Sequence, residues 1–337
     1  MSFLPRRAPL TGAALATALL LTACGGGGDD TGSGEGAGAG TAAAGGETLE
    51  VITSIYPLEY LATRIAGEHA EISTLTSPGA DPHDVELTPR VVGHIGAADL
   101  VIYSAGLQAA VDQAVDTQAA GHALDVSGAA DLLELGESES EHSGHDHDDE
   151  HADHDDEHAG HDHGPEDPHF WLDTQRYGQV AVAIADQLGA IDPDNAQLYR
   201  ANADDLIADL EELDEEFQEG LATCETRDLV ATHEAFGYLA HRYDLHQLGI
   251  TGISPDAEPS PARLAEVSAQ VRALDVTTIY AEPNLPEDIA RTVAQETGTQ
   301  VAILDPLEGL TPDSAGSDYL EVMRANLESL RTGLGCS

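Results

Sequence analysis

The sequence predicts an α/β protein: two α/β lobes with parallel sheets, joined by one long backbone α-helix. Three observations predict it. Residues 47–191 alternate short apolar runs of strand length with longer runs of helical period. Residues 192–222 abandon that alternation for a single repeat of apolar residues at helical spacing. Residues 223–337 resume the alternation. Strands that alternate with helices build βαβ units and therefore parallel sheets.

The chain opens with Arg6 and Arg7 and an apolar run over 8–23. That run falls short of the ~20 residues of a membrane span and reads as a secretory signal peptide, residues 1–23. The tetrapeptide LTAC, ending at Cys24, resembles a bacterial lipobox. It predicts cleavage before Cys24, lipid on the Cys24 sulfur, and an extracytoplasmic protein held at the cell membrane by a lipid anchor. Each buried CH₂ of such an anchor adds about 0.8 kcal/mol of membrane affinity. An ordinary signal peptide, with no role for Cys24, is the alternative. Residues 24–46 are Gly, Ala and Ser with scattered acids, the composition of a flexible tether.

In the N-terminal lobe, residues 47–191, candidate strands are 49–55, 71–76 and 99–104, and candidate helices 59–66 and 88–96. A histidine- and aspartate-rich loop, 137–166, interrupts it. Eight of the sixteen histidines stand there: His142, His145, His147, His151, His154, His158, His161 and His163. The loop has no apolar period and is expected to be disordered without metal. Its side chains can bind divalent ions in many interchangeable ways. Ordering such a chain costs about 1–2 kcal/mol per residue fixed, so it reads as a weak accessory: a collector, a sensor or a brake. A solvated acidic run with little effect is the alternative.

Asp192-Pro193 then opens the linking helix, with proline near the first turn. Leu198, Leu206, Leu210, Leu213, Phe217 and Leu221 repeat along one face. At about 1.5 Å per residue the rod is roughly 40 Å long, enough to bridge two lobes. The repeat lasts too few heptads for a coiled coil. In the C-terminal lobe, 223–337, strands are expected at 228–232, 277–280 and 301–304, and helices at 262–273, 286–297 and 319–331.

Composition narrows the partners. There is no lysine; 13 arginines face 62 acidic residues, for a formal charge of −49. This excludes nucleic acid, which needs clustered positive charge. It fits attraction of cations, but a salt-adapted or simply acidic proteome accounts for it more readily. Cys224 and Cys336, two lone cysteines in an exported chain, suggest one disulfide. Two free thiols are the alternative. The absence of a close Cys pair argues against a thiolate metal site.

Ligands of open α/β sheets gather beyond the carboxyl ends of the strands. Four positions qualify. His83 lies in PGADPHDVELTP, His169 in DPHFWLD, His233 in THEAFGYLAHRYDL and Asp305 in ILDPL. Proline before His83 and His169 fixes the local backbone. Three imidazoles and one carboxylate make a four-coordinate set suited to Zn²⁺, with Zn–N near ~2.0–2.1 Å. Two would come from each lobe, with the ion in the cleft between them. Glu282 either lines the cleft or satisfies a buried donor. Trp171 reads as packing beside the ligand loop. His69, His94, His122, His241 and His246 read as structural.

These motifs, with ISPDAEPSPARL and IYAEPN, resemble the zinc- and manganese-binding solute-binding lipoproteins of ABC importers, the ZnuA/TroA-like family, from residue 49 to 336. The resemblance implies a metal-type solute-binding fold and ligands at His83, His169, His233 and Asp305. It also implies transported Zn²⁺ as the ligand, an ABC permease and its ATPase as partners, and a histidine-rich loop before His169 typical of zinc members. In manganese members Glu stands in place of His233, and a third imidazole favours zinc. The lysine-free acidic body and the position of Cys224 depart from the pattern. The chain is expected to act as a monomer and not as an enzyme, because a closed ligand set leaves no position for an activated water. The rivals are a manganese or iron importer component, a surface adhesin of the same family, and a zinc hydrolase, for which no HExxH motif is present.

Overall fold

The computed structural model describes residues 48–135, 166–255, 258–283 and 285–337. The signal peptide, Cys24, the tether and His142, His145, His147, His151, His154, His158, His161 and His163 lie outside the described residues.

Lobe 1 begins with β1 (Leu49–Thr53), whose apolar residues are followed by Pro57 in the first turn of α1 (Tyr56–Ala66). β2 (Ala70–Thr74), α2 (Pro89–Ile95), β3 (Leu100–Tyr103), α3 (Ala109–Ala114), β4 (Ala123–Asp125) and α4 (Ser127–Ala130) follow. All pairings are parallel, in the order β2-β1-β3-β4. A helical hairpin comes next: α5 (Thr174–Ile191) and α6 (Ala196–Gly220). Lobe 2 comprises β5 (Asp228–Ala231), α7 (Gly237–Tyr243), β6 (His246–Gly249), α8 (Pro261–Ala273), β7 (Thr278–Ala281), α9 (Asp288–Thr297), β8 (Gln300–Ile303) and α10 (Tyr319–Gly333). Its sheet is also parallel, in the equivalent order β6-β5-β7-β8.

Strand residues divide by the two-residue period. Val51, Leu100 and Ile102 of lobe 1 face the same core as Leu229, Ala231 and Tyr280 of lobe 2. That shared core runs through Leu58, Tyr177, Leu206, Leu210, Phe217 and Leu330 on the helices. The intervening residues face outward cores: Ile52 and Val101 with Ile95 and Val111, and Val230 and Ile279 with Val267 and Val293. Each fully buried Leu, Ile or Phe contributes about 1.5–3 kcal/mol.

The linking helix differs from the expectation in two ways. It starts at Ala196, because Asp192 turns the chain instead: its Oδ2 accepts from Asn195 Nδ2 at 2.7 Å and from Tyr199 Oη at 2.6 Å. It is also paired. α5, unexpected from the sequence, packs along it from an N-cap in which Asp173 Oδ1 accepts from Gln175 N at 2.9 Å. Gly189 lets the hairpin close, since a Cβ there would lie 3.0 Å from that of Ala196. α6 buries Tyr199, Ala203, Leu206, Leu210, Leu213 and Phe217, and all its acids but the buried Asp214 face outward or lie partly exposed. Arg242 of α7 grips Asp214 of α6 through Nε at 3.0 Å and Nη2 at 2.5 Å, tying lobe 2 to the hairpin. Cys224 and Cys336 form a disulfide that closes lobe 2 on itself across 112 residues. In the chain-entropy view such a loop contributes roughly 4–5 kcal/mol.

Candidate metal centre

Asp-Pro recurs in three loops around the cluster, at 81–82, 167–168 and 305–306, and each time it builds the same turn. Asp81 Oδ1 accepts from the amide of His83 at 2.8 Å, and Asp167 Oδ1 from the amide of His169 at 3.0 Å. Asp305 Oδ1 accepts from the amide of Leu307 at 2.8 Å. These are Asx turns, in which proline presets the middle of the turn and the aspartate holds the residue two places on. In the first two turns that residue is the histidine. In the third it is Leu307, at φ +60°, and the chain then presents Glu308.

The cluster that results is His83, His169, His233 and Glu308, with one ligand atom from each within 4.8 Å of all the others. Glu308 Oε1 lies 3.2 Å from His83 Nε2, 3.2 Å from His169 Nε2 and 3.5 Å from His233 Nε2. His83 and His169 belong to lobe 1, in the β2–α2 loop and just before α5. His233 and Glu308 belong to lobe 2, just past β5 and β8. His169 and His233 are fully buried, His83 nearly so, and Glu308 is 9% exposed. The sequence therefore predicts three of these groups and misses Glu308. Asp305 is not in the set: its Oδ1 is used by Leu307 N, and its backbone is gripped by Asn326 of α10, through Asn326 Oδ1 to Asp305 N at 2.9 Å and Asn326 Nδ2 to Asp305 O at 2.7 Å. His69, His94, His122, His241 and His246 also lie outside the set.

Two imidazoles are oriented by carboxylates. His169 Nδ1 is 2.8 Å from Asp167 Oδ1, and His233 Nδ1 is 2.6 Å from Glu282 Oε1, which also accepts from Thr232 Oγ1. A carboxylate on Nδ1 fixes that proton there and turns Nε2, with its lone pair, to the centre. Glu282 thus takes the second of its two expected roles, at the Nδ1 side of His233. Trp171 does more than pack. Its Nε1 donates to Pro306 O at 2.8 Å, joining the His169 segment of lobe 1 to the turn that carries Glu308. The His83 loop is held by Gln108, whose amide donates to Pro82 O at 2.9 Å.

The charges of the cluster support one another. Burial disfavours protonation of His169, but its hydrogen bonds to Asp167 and Glu308 outweigh this and raise its pKa. Burial likewise opposes charge on His233, and Glu282 and Glu308 more than reverse it, holding the imidazole well above its usual range. Burial would raise Glu308, yet three histidines hold its carboxyl well below the ordinary value. Asp305 goes the other way. Burial, with the charges of Glu282 and Glu308, pushes it up to about 6 against hydrogen bonds from Leu307 and Ser314. The set thus offers nitrogen donors aimed inward and one carboxylate held ionised, which is what a small divalent cation requires. A cavity of about 30 Å³ adjoins Glu308 and Glu282, lined also by Asp81, Pro255 and Leu285.

Comparison with known proteins gives a consistent picture. A family model described as zinc-uptake complex component A, periplasmic, matches residues 51–333. The zinc-binding lipoprotein AdcA of Streptococcus pneumoniae strain R6 is 35% identical over 286 residues, 84% of this chain and 55% of that protein. The chain thus spans about half the length of the AdcA relatives it matches. The high-affinity zinc uptake system protein ZnuA of Bacillus subtilis strain 168 is 35% identical over 298 residues, 87% of this chain and 90% of that protein. Among solved structures, the laminin-binding protein Lmb of Streptococcus agalactiae, described as bifunctional with adhesin and metal-transporting activity, superposes with a TM-score of 0.72. It is 32% identical, over 85% of this chain and 99% of that one.

Proposed function

Because the chain belongs to the family of zinc-uptake complex component A proteins, we propose that it captures Zn²⁺ outside the cytoplasm and delivers it to an ABC permease driven by its ATPase. The ion is held by Nε2 of His83, His169 and His233 and by the carboxylate of Glu308. One observation carries this reading: three buried Nε2 atoms from both lobes converge on a single glutamate oxygen. That oxygen lies among the three nitrogens. A Zn²⁺ there brings all four groups to ~2.0–2.2 Å, using the same side chains.

Zinc is favoured over manganese because three imidazoles and one carboxylate suit a borderline-soft, tetrahedral ion better than a hard, six-coordinate one. Capture and delivery need no catalytic step. Zinc is cargo: it leaves when the lobes separate, because each lobe supplies half of the ligands. The lipid at Cys24, action as a monomer, and an accessory role for the histidines of 142–163 complete the reading.

Titration calorimetry of the mature chain, with zinc and then with manganese in competition, tests it. One tight zinc per molecule, lost on replacing His233 and poorly displaced by manganese, is the expected result. Tight binding of manganese, or zinc binding indifferent to His233, would overturn it. The name of the Lmb relative supports a second reading, adhesion to a host matrix protein. A variant without metal ligands that still bound laminin would favour it.

A further inference from the structure

Tyr238 lies in α7, on lobe 2, five residues after His233, and is fully buried. Both partners of its hydroxyl belong to lobe 1. It donates to Asp167 O at 2.7 Å and accepts from Leu133 N at 2.8 Å. Those two residues are themselves joined, Asp167 N to Leu133 O at 2.9 Å, next to an antiparallel bridge between Glu134 and Glu166. The ring is covered by the guanidinium of Arg176, 5.5 Å from its centroid, and Arg176 also donates to the carbonyls of Ala130 and Asp131. One phenol oxygen from lobe 2 therefore closes a hydrogen-bonded junction of lobe 1.

Asp167 is the residue that orients His169. Its Oδ1 accepts from the His169 amide and faces His169 Nδ1, while its main chain is fixed by Leu133 on one side and Tyr238 on the other. The geometry points to Tyr238 as a positioning residue that couples separation of the lobes to the orientation of His169. With the lobes together, the phenol holds Asp167, and Asp167 holds the imidazole on the ion. When α7 moves off with lobe 2, carrying His233, the Asp167 carbonyl and Leu133 amide lose their shared partner. The turn loosens, and His169 gives up the ion as His233 leaves. Loss of the second ligand is thereby tied to loss of the first, which makes release cooperative. This rests on the reading of the cluster as a zinc site.

The test uses the mature chain with Tyr238→Phe, which removes only the hydroxyl and leaves two buried backbone groups without a partner. Tyr177→Phe is the control. That hydroxyl is equally buried and donates to Pro57 O at 2.7 Å, within lobe 1. Zinc dissociation is followed by rapid mixing with a chelator. Y238F is expected to release zinc about tenfold faster with an unchanged association rate. Y177F should release it at the wild-type rate for a comparable loss of Tm. Equal release from Y238F and wild type, or equal acceleration by Y177F, would overturn the coupling. Amide exchange of 166–172 in the metal-free proteins supplies an independent readout: faster in Y238F, unchanged in Y177F. If the wild type retains no zinc but Y238F exchanges faster there, the zinc reading falls and the coupling stands. If zinc binds tightly and neither release nor exchange changes, the coupling falls and the zinc reading stands.

Discussion

Two residues beyond the central strand of lobe 1 stands Ile55; at the same place in lobe 2 stands His233. The frames around them match bond for bond. Ser54 N donates to Ile102 O at 2.9 Å, and Thr232 N to Tyr280 O at 3.0 Å. Thr76 Oγ1 reaches Ser54 O at 2.8 Å, and Thr251 Oγ1 reaches Thr232 O at 3.0 Å. The residue just past the neighbouring strand differs: Ser104 after β3, Glu282 after β7. Lobe 2 can point an imidazole inward at its central strand because a carboxylate one strand over accepts the hydrogen bond of Nδ1–H. Lobe 1 buries an isoleucine there and takes its histidines from Asx turns on longer connections. The same sheet thus supplies ligands in two ways, one rigid and one dependent on loops.

The sharpest way to break this comparison is to remove a histidine from each lobe. His233→Ala should weaken zinc by about a hundredfold or more, since loss of a ligand strands Glu282 in a buried site. His83→Ala should cost less, because its loop can readjust. Equal losses by calorimetry would show that the two modes of support do not matter. Next is the third Asp-Pro turn. Glu308→Gln should weaken zinc by about ten- to a hundredfold, whereas Asp305→Asn should leave affinity within a few-fold of wild type. Asparagine keeps the Oδ1 acceptor for Leu307 and removes a carboxylate whose ionisation burial opposes, so D305N should also raise Tm at pH 8. A large zinc loss in D305N would return Asp305 to the ligand set. Asp167→Asn and Glu282→Gln, which keep an oxygen but can no longer anchor an Nδ1–H as a charged acceptor, should each cost about tenfold.

A smaller effect concerns pH. His169 and His233 have raised pKa values in the fold, so the stability they contribute is full below about pH 6.5 and is lost as pH rises through their folded values. Glu308 is depressed, so its contribution is full above about pH 4.3 and is lost as pH falls through its folded value. Ionisation of Asp305, with a pKa of about 6, carries a cost present above that pH and absent below about 3.9. The histidines and Asp305 both favour the lower pH, while Glu308 contributes equally at both: the metal-free protein should melt at a higher temperature near pH 5.5 than at pH 8. Zinc affinity should run oppositely, rising with pH as protons leave the histidines. A metal-free Tm that climbs from pH 5.5 to 8 would contradict the charge balance of the cluster. The smallest effect is expected from deleting 142–163, which should leave one tight zinc per molecule.

The two-lobed α/β design and three of the four clustered groups are legible from the residues, and the reasons for the misses are specific. β4 and β6, ALD and HQLG, carry no alternating apolar pattern; they are strands because a neighbour's edge pairs with them. α5 mixes good helix formers such as Ala and Gln with Val, Ile and two glycines, so its propensity gives a divided signal, and packing on α6 settles it as helix. Asp305 attracts the prediction because it is the first acid past β8. The signal against it is visible in Asp81-Pro82-His83 and Asp167-Pro168-His169. In both, the aspartate makes the turn and a later residue carries the chemistry. The long range of Glu308, meeting histidines 225 and 139 residues away, has no local trace in sequence.

Trp171 is the only indole in the chain. Its ring centroid is 5.3 Å from that of His169, and its N–H donates to the Pro306 carbonyl of the opposite lobe. Cargo binding and lobe movement both alter the surroundings of that one fluorophore. Its emission, uncontaminated by any second tryptophan, will report filling and emptying of the cleft in the unlabelled protein.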